Sequence, residues 1–264
     1  MSTAQPECIL GREAGYLHDV LAIAGRALRQ LPREPAAVLP AVFVPAFFYA
    51  VNLGALENVA GSNIDYKAFL LPMAIAFAVT GMSRAPSLVT DIQGGYFDRL
   101  CMTPIRRTAL LLGLMVADVA VIVALCLPVL AMAAVVGVRF ATGLPGLIVF
   151  VAFSALWGLA FTGFPYAVAL KTGSPAAVSA CYVIFFPLFF LTDAVVPKQF
   201  LTGWFSTIAT YNPVTYLLGA LRSLITVGWQ VRPLMEGMVA VAGLATLGMT
   251  LALLAFRARI QMGA

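Results

Sequence analysis

Two aspartates, Asp118 and Asp193, stand in long apolar stretches of the sequence, where an ionisable side chain is costly. Asp118 lies about three helical turns into its stretch, and Asp193 comes at the end of another. A carboxylate in such surroundings can carry a proton or bind an ion, or it can be paired with polar groups of a neighbouring helix. Both residues are therefore candidate proton or ion sites, with structural pairing as the alternative.

Other patterns that carry chemistry are missing from the sequence. It has no G-x-x-x-x-G-K-[ST] segment, and therefore no P-loop for nucleotide phosphates. His18 is the single histidine, which leaves no Ser-His-Asp triad and no histidine-based zinc cluster. The cysteine spacings match no metal site or disulfide framework; the residues are Cys8, Cys101, Cys126 and Cys181. We expect this chain to be no enzyme and to bind no cofactor or metal itself.

Six long apolar stretches must position these residues. Hydrophobic residues make up 62 % of the 264-residue sequence and charged residues 10 %, whereas soluble domains carry about 25 % charged residues. A helix that crosses a bilayer needs about 20 mostly apolar residues, and it satisfies its own backbone polar groups. We predict an all-α integral membrane protein with six transmembrane helices, at about 36–56, 68–89, 108–137, 146–170, 176–194 and 234–256.

The basic residues are divided unequally between the two sides of this arrangement. Eleven of the 16 lysines and arginines fall on the side of the N-terminus, which the positive-inside rule places in the cytoplasm. We therefore predict that both termini are cytoplasmic. Because the basic residues follow the membrane sides and form no single patch, the net charge of +5 does not indicate nucleic-acid binding. Arg84, near the inner end of the second stretch, is expected to reach the phosphate headgroups.

Residues 1–35 are predicted to form a cytoplasmic arm that contains an amphipathic helix. Within 14–31, Leu17, Leu21 and Ala24 recur at helical spacing, and the charged residues fall mainly on other faces. Such a helix lies in the plane of the lipid headgroups. The alternative is an ordinary solvated arm.

The segment 91–107, DIQGGYFDRLCMTPIRR, is the richest polar connection in the sequence. Aromatic and aliphatic residues alternate there with Asp98 and Arg99, and Pro104 ends any helix. We predict a short amphipathic helix on the cytoplasmic face, or else a basic loop that only fixes the topology.

The segment 197–230 contains several short apolar runs. Gly203, Asn212–Pro213 and Gly228 interrupt it, so each run is too short and too polar to cross a bilayer alone. Irregular backbone at membrane depth requires protein packing or a water-filled cavity. We predict short re-entrant helices in the outer leaflet between the fifth and sixth spans. The alternative is a seventh span over 212–227, which would move the C-terminus to the other side.

Two motifs stand in order on opposite sides of the predicted membrane. The inner motif reads GYFDRL over 95–100, followed by TPIRR over 103–107. The outer motif contains Pro197 through Trp204, then NPVTY over 212–216 and Leu221-Arg222. Together they resemble the permeases of ABC-2 type transporters over nearly the whole chain, in particular the daunorubicin-resistance type of drug or lipid exporter permease. Asp98 stands where that family usually has glutamate, and Thr192-Asp193 where it often has small residues.

The resemblance implies a permease subunit without an ATPase site of its own. An ABC ATP-binding subunit, present in two copies, would bind ATP and Mg, and a second permease copy or a paralogous permease would complete the complex in a bacterial-type plasma membrane. Residues 36–264 would form the ABC-2 transmembrane domain, preceded by the family's connecting helix. The contact with the ATPase would involve Gly95, Tyr96, Phe97, Asp98, Arg99, Leu100 and Pro104. The outer re-entrant motif would comprise Pro197, Trp204, Asn212, Pro213, Tyr216 and Arg222.

Two such permeases would enclose a path lined mainly by their second and fifth spans. Phenylalanines in those spans suit a hydrophobic or amphipathic cargo such as a drug, a lipid or a glycolipid, although a phenylalanine stripe in a membrane helix commonly faces membrane lipid instead. The candidate path residues are Asn52, Phe77, Asp118, Phe186, Phe190 and Asp193. Two other functions stay open: a proton- or ion-coupled secondary transporter, and a non-transporting membrane assembly factor.

Overall fold

The computed structural model describes residues 15–30, 35–56, 65–81, 83–96 and 107–262, and all regular structure in these ranges is helical. The α-helices, numbered in chain order, are α1 Tyr16–Gln30, α2 Pro35–Leu56, α3 Tyr66–Thr80, α4 Ala85–Gln93, α5 Arg107–Val136, α6 Gly143–Thr172, α7 Pro175–Phe190, α8 Gly203–Tyr211, α9 Pro213–Thr226 and α10 Val231–Met262. A short 3₁₀ helix, Lys198–Phe200, precedes α8. The prediction of an all-α protein is confirmed for the described residues.

Within these ranges, five helical segments are long and apolar enough to cross a membrane. They are Val38–Ala55, Tyr66–Gln93, Leu111–Val136, Gly143–Thr172 and Val231–Arg259, at the first, second, third, fourth and sixth predicted spans. At the fifth, predicted over 176–194, α7 ends at Phe190 and has only 16 residues. That is fewer than the about 20 residues of a typical crossing.

α7 ends before the predicted boundary because residues distant in the sequence bind the backbone carbonyls around its end. The carbonyls of Leu188 and Leu191 accept hydrogen bonds from Asn212, and the carbonyl of Asp193 accepts one from Arg222. Buried carbonyl groups need a hydrogen-bond partner. Asn212 and Arg222 supply these partners, so the helix does not have to continue.

The second span is interrupted, whereas the sequence predicted one helix over 68–89. α3 ends at Thr80 and α4 begins at Ala85, with Pro86 in its first turn. Proline has no N–H to donate to the preceding turn, so it fits a helix start and favours an interruption before it. An interruption at membrane depth leaves backbone polar groups that need partners from other helices.

This second span is the centre of the packing. Of the residues in its most apolar window, 82 % are buried inside the protein, compared with 17 % for Val38–Ala55 and 22 % for Val231–Arg259. α2, α5, α6 and α9 all pack against α3. The large exposed apolar faces of the first and last spans suit contact with lipid.

Small residues bring α6 and α10 into backbone contact. A Cβ atom added to Gly163 would clash with the backbone of Gly248, and one added to Gly248 would lie 2.7 Å from the carbonyl oxygen of Ala160. Membrane helices commonly pack closely where glycines face each other. These two long helices therefore form a tightly joined pair.

The amphipathic helix α1 packs against α5. Gly113 of α5 makes room for it, because a Cβ atom there would lie 2.7 Å from the Cβ atom of Ile23. Ala24 is 3 % exposed, whereas Leu17 is 74 % and Leu21 64 % exposed. One side of α1 is thus attached to the membrane domain, and its outward leucines suit the predicted contact with lipid headgroups.

Candidate functional site

Asp118 binds two donors from other parts of the fold. Its side chain is 1 % exposed. Oδ1 accepts a hydrogen bond of 2.8 Å from the backbone N–H of Arg84, and Oδ2 accepts one of 2.6 Å from the hydroxyl of Tyr166. Because Arg84 directly precedes α4, Asp118 satisfies a backbone donor at the interruption of the second span.

Further polar side chains meet the same interruption. Trp157 of α6 donates from Nε1 to Oγ1 of Thr80 at 3.0 Å. The hydroxyl of Tyr182, on α7, bonds to Oγ of Ser83 at 3.1 Å. Side chains of α5, α6 and α7 therefore hold the segment between α3 and α4 in place. We refer to this group of Thr80, Ser83, Arg84, Asp118, Trp157, Tyr166 and Tyr182 as the inner network.

Arg84 is directed into the protein, so the prediction that it reaches the headgroups is wrong. It is 2 % exposed, and its Nη2 donates to Oε1 of Gln30 at 3.3 Å. Gln30 is the last residue of α1. The physical reason is that buried Asp118 and half-buried Gln30 offer acceptors nearby. The interruption in the second span is consequently joined to α1 as well as to α5.

α1 is also joined to the start of the inner motif. Arg26 pairs with Asp91 of α4 at 2.9 Å, and its guanidinium lies 4.0 Å from the centroid of the Tyr96 ring. Gly95 has a φ of +68°, a conformation that favours glycine. The remaining predicted coupling residues lie outside the described ranges: Phe97, Asp98, Arg99, Leu100 and Pro104. α1 and the first residues of the motif thus form one contact group.

On the other side of the predicted membrane, Arg222 and Asp193 form a buried ion pair. Arg222 Nη1 lies 2.8 Å from Oδ2 of Asp193, with both residues under 10 % exposed. Nη2 donates to the carbonyls of Asp193 and Ala194 at 2.8 and 3.0 Å. Nε donates to the carbonyl of Phe69 at 3.2 Å, and the guanidinium lies 3.6 Å from the Phe69 ring centroid. Arg222 therefore joins α9, the segment after α7 and the start of α3.

Asn212 and Pro213 join the end of α7 to the start of α9. Oδ1 of Asn212 accepts from the N–H of Val214 at 3.0 Å, as helix N-caps do, and Pro213 takes the first helical position. Nδ2 of the same side chain donates to the carbonyls of Leu188 and Leu191 at 2.6 and 3.0 Å. One asparagine thus satisfies backbone groups of two helices.

The other residues of the outer motif have distinct places. The Tyr216 hydroxyl donates to the carbonyl of Thr210 at 2.7 Å and so fixes the angle between α8 and α9. Pro197 is buried in front of the 3₁₀ helix, whereas Trp204 is 69 % exposed. An exposed tryptophan suits the membrane interface.

Four of the six predicted path residues lie together between α2, α3 and α7. The Phe77 ring contacts Phe48 and Phe186 at centroid distances of 5.7 and 5.2 Å, and Phe186 stacks on Phe190 at 6.2 Å. Asn52 shares a pocket of about 10 Å³ with Phe48 and Phe77. Phe186 is 43 % and Phe190 41 % exposed. This aromatic cluster therefore presents an open surface beside a mostly closed interior.

The other two predicted path residues lie elsewhere: Asp118 belongs to the inner network, and Asp193 to the outer ion pair. Sequence reasoning missed the hydroxyls of Tyr166 and Tyr182 as partners. The available signal was a hydroxyl within an apolar stretch, because a buried hydroxyl needs a hydrogen-bond partner. Over the described ranges, no group of three His, Cys, Asp or Glu residues is placed to hold a metal ion.

Several apolar spans joined by buried polar networks define a multi-pass membrane protein. The model of the ABC-2 type transporter family matches residues 18–226, a range that includes most of α1, the inner motif and the outer motif. The chain belongs to this family. Its members are transmembrane permeases, and the chain is accordingly a multi-pass protein of the plasma membrane.

Two relatives illustrate the match. A probable doxorubicin resistance ABC transporter permease protein of Mycobacterium tuberculosis is 24 % identical over 233 residues, which cover 87 % of this chain and 84 % of the relative. A daunorubicin resistance ABC transporter permease protein of Streptomyces coeruleorubidus is 28 % identical over 191 residues, which cover 71 % and 66 % of the two chains. The family that the two motifs predicted is therefore confirmed.

Proposed function

We propose that this chain is the permease subunit of an ABC exporter that moves a hydrophobic or amphipathic substrate, such as a drug or a lipid, across the plasma membrane. A separate ABC ATP-binding subunit binds ATP and Mg and supplies the energy. Two permeases, identical or paralogous, act with two ATP-binding subunits. The family match supports this assignment, and the two relatives are named for doxorubicin and daunorubicin resistance.

The proposed topology has six crossings with both termini in the cytoplasm. α7 together with the segment that follows it makes the fifth crossing, and α8 and α9 enter the outer leaflet without crossing it. Their lengths of 9 and 14 residues support this, since both are too short to span a bilayer. Arg222 and Asn212 support it as well, because they satisfy the backbone groups that irregular structure leaves open.

The observation that carries the proposal is the continuous set of contacts from the inner motif to the second span. Segment 91–107 inserts into a cleft of the ATP-binding subunit, and α1 rests beside it. Movement of that segment displaces α4, which Asp91 links to Arg26 of α1. Arg84, the residue directly before α4, is held by Asp118 and Gln30. A displacement at the ATPase is therefore passed to the interruption in the second span.

The path for the substrate runs beside the aromatic cluster. Phe77, Phe186 and Phe190 offer apolar rings, and Asn52 adds one polar group. Apolar walls with a few polar groups suit an amphipathic ligand. A second permease would face the exposed side of Phe186 and Phe190 and close the path.

The coupling role of segment 91–107 is tested by the double variant Phe97→Ala with Leu100→Ala. Removal of two apolar contacts at the centre of an interface typically costs about 2 kcal/mol or more, so we expect about tenfold or greater loss of the ATP-binding subunit that co-purifies. Phe200→Ala is the matched control, because Phe200 is 56 % exposed and lies on the proposed outer side. Undiminished co-purification of the ATP-binding subunit with the double variant would contradict the proposal.

A further inference from the structure

A groove of about 930 Å³ lies between α6, α7 and α10. Its walls are apolar along most of their length and include Phe161, Phe185 and Leu251. The polar residues that line it are Lys171 and Thr172, both at the C-terminal end of α6, together with Cys181. A volume of this size lies within the range of about 300–1,000 Å³ that small-molecule sites occupy.

The groove has the length of one membrane leaflet. Its α6 wall extends from Phe161 to Thr172, which is about 17 Å at a rise of about 1.5 Å per residue. Its α10 wall extends from Leu244 to Ala258, about 21 Å by the same rise. Half of the hydrocarbon thickness of a bilayer is about 15 Å. Leu254 in the wall is 55 % exposed, so the groove is open to the surrounding membrane.

The end of the groove at Lys171 is positively charged. Lys171 is exposed in the last turn of α6, and Arg259 Nη1 donates to the carbonyl of Leu170 at 3.2 Å. The guanidinium of Arg259 therefore lies at the same end. The carboxylate on the neighbouring α4, Asp91, is already paired with Arg26.

We propose that this groove binds an anionic phospholipid of the cytoplasmic leaflet. An acyl chain lies along the apolar walls, and the phosphate is held by Lys171 with Arg259 beside it. The proposal rests on the proposed orientation, which places residue 171 on the cytoplasmic side. The cytoplasmic leaflet is rich in anionic lipid and attracts basic residues next to the spans. The chemistry thus matches at both ends of the ligand, the charged headgroup and the hydrocarbon tail.

The test is lipid binding to the full chain, purified from membranes, delipidated and titrated with phosphatidylglycerol or phosphatidylcholine, with bound lipid counted by native mass spectrometry. We expect one phosphatidylglycerol bound in preference to phosphatidylcholine. Lys171→Gln should weaken the binding of phosphatidylglycerol about fivefold, because one basic side chain near an anionic surface contributes about that much. Arg232→Gln is the matched control, because Arg232 is an exposed basic residue at the opposite end of α10.

A second pair of variants tests the apolar walls. Ala167→Trp fills the groove and should abolish the tightly bound lipid, whereas Ala152→Trp, on an exposed face of the same helix outside the groove, should leave it bound. Equal binding of both lipids, unchanged binding by Lys171→Gln, or retention of the lipid in Ala167→Trp would each overturn the proposal. Because no ATP-binding subunit enters this measurement, these outcomes leave the proposed function intact.

Discussion

Replacement of Asp118 with alanine is expected to destabilise the protein severely and to abolish transport. The change leaves two buried donors without an acceptor, the backbone N–H of Arg84 and the hydroxyl of Tyr166. Each unsatisfied buried donor costs about 1–3 kcal/mol, so the loss reaches a large part of the about 5–15 kcal/mol by which proteins are typically stable. The effect on stability is measured by thermal unfolding in detergent, with the remaining folded protein quantified by size-exclusion chromatography.

Asp118→Asn separates the structural role from proton or ion transport. The asparagine oxygen can accept from the N–H of Arg84, and its amide can donate to the oxygen of the Tyr166 hydroxyl. Both contacts are then kept without the negative charge, and only the O–H of Tyr166 loses its acceptor. We expect the Asn variant to fold and to keep most of its transport activity. Transport lost in a well-folded Asn variant would contradict this account and would favour the ion-coupled transporter.

Replacement of Arg222 with methionine should have the second large effect. It leaves the Asp193 carboxylate buried without its cation and removes donors from the carbonyls of Asp193, Ala194 and Phe69. Loss of one partner from a buried ion pair costs about 3–5 kcal/mol. We expect a large fall in the unfolding temperature and in the yield of folded protein.

The combined variant Arg222→Met with Asp193→Asn completes a double-mutant cycle. It removes the uncompensated charge but leaves the carbonyls unsatisfied, so we expect recovery of only part of the loss. A coupling energy of about 0.5–3 kcal/mol between contacting residues is typical. Strictly additive effects of the two changes would show that the pair does not stabilise the fold.

These two networks hold opposite ends of α3. Arg222 binds the carbonyl of Phe69 near the start of α3, and Asp118 binds the N–H of Arg84 just after its end. α3 between them is almost entirely buried. The inner network also reaches Gln30 of α1. α3 is thus fixed near its start by Arg222 and just after its end by Asp118, at the interruption of the second span.

The sequence predicted the helical segments well because length and apolarity decide membrane insertion. The interruption at 81–84 was missed, although Gly81 and Pro86 both signal it. The stretch 68–89 as a whole is mostly apolar, and a hydropathy pattern does not distinguish one helix from two in series. The breaks at Gly203 and Asn212–Pro213 were recognised because polar residues accompany them, and α8 and α9 begin there.

The pairing of charged residues could not be read from the sequence. Asp118 bonds to Tyr166, which is 48 positions away in the sequence, and Asp193 bonds to Arg222, which is 29 positions away. Pairings between such distant residues depend on how the helices are arranged in space, and the periodicity of the sequence alone does not determine that arrangement. Each charge was individually recognisable as costly in an apolar segment. What remained hidden was which donors the two carboxylates bind: a backbone N–H and a hydroxyl for Asp118, and a guanidinium for Asp193.

Transport in proteoliposomes tests the central claim most directly, that this permease depends on ATP hydrolysed by another subunit. The complex of this chain with its ATP-binding subunit would be reconstituted, and doxorubicin movement would be followed by fluorescence. We predict transport that requires hydrolysable ATP and persists when the proton gradient is collapsed. Transport by the chain alone, driven by an imposed proton gradient without nucleotide, would contradict the account.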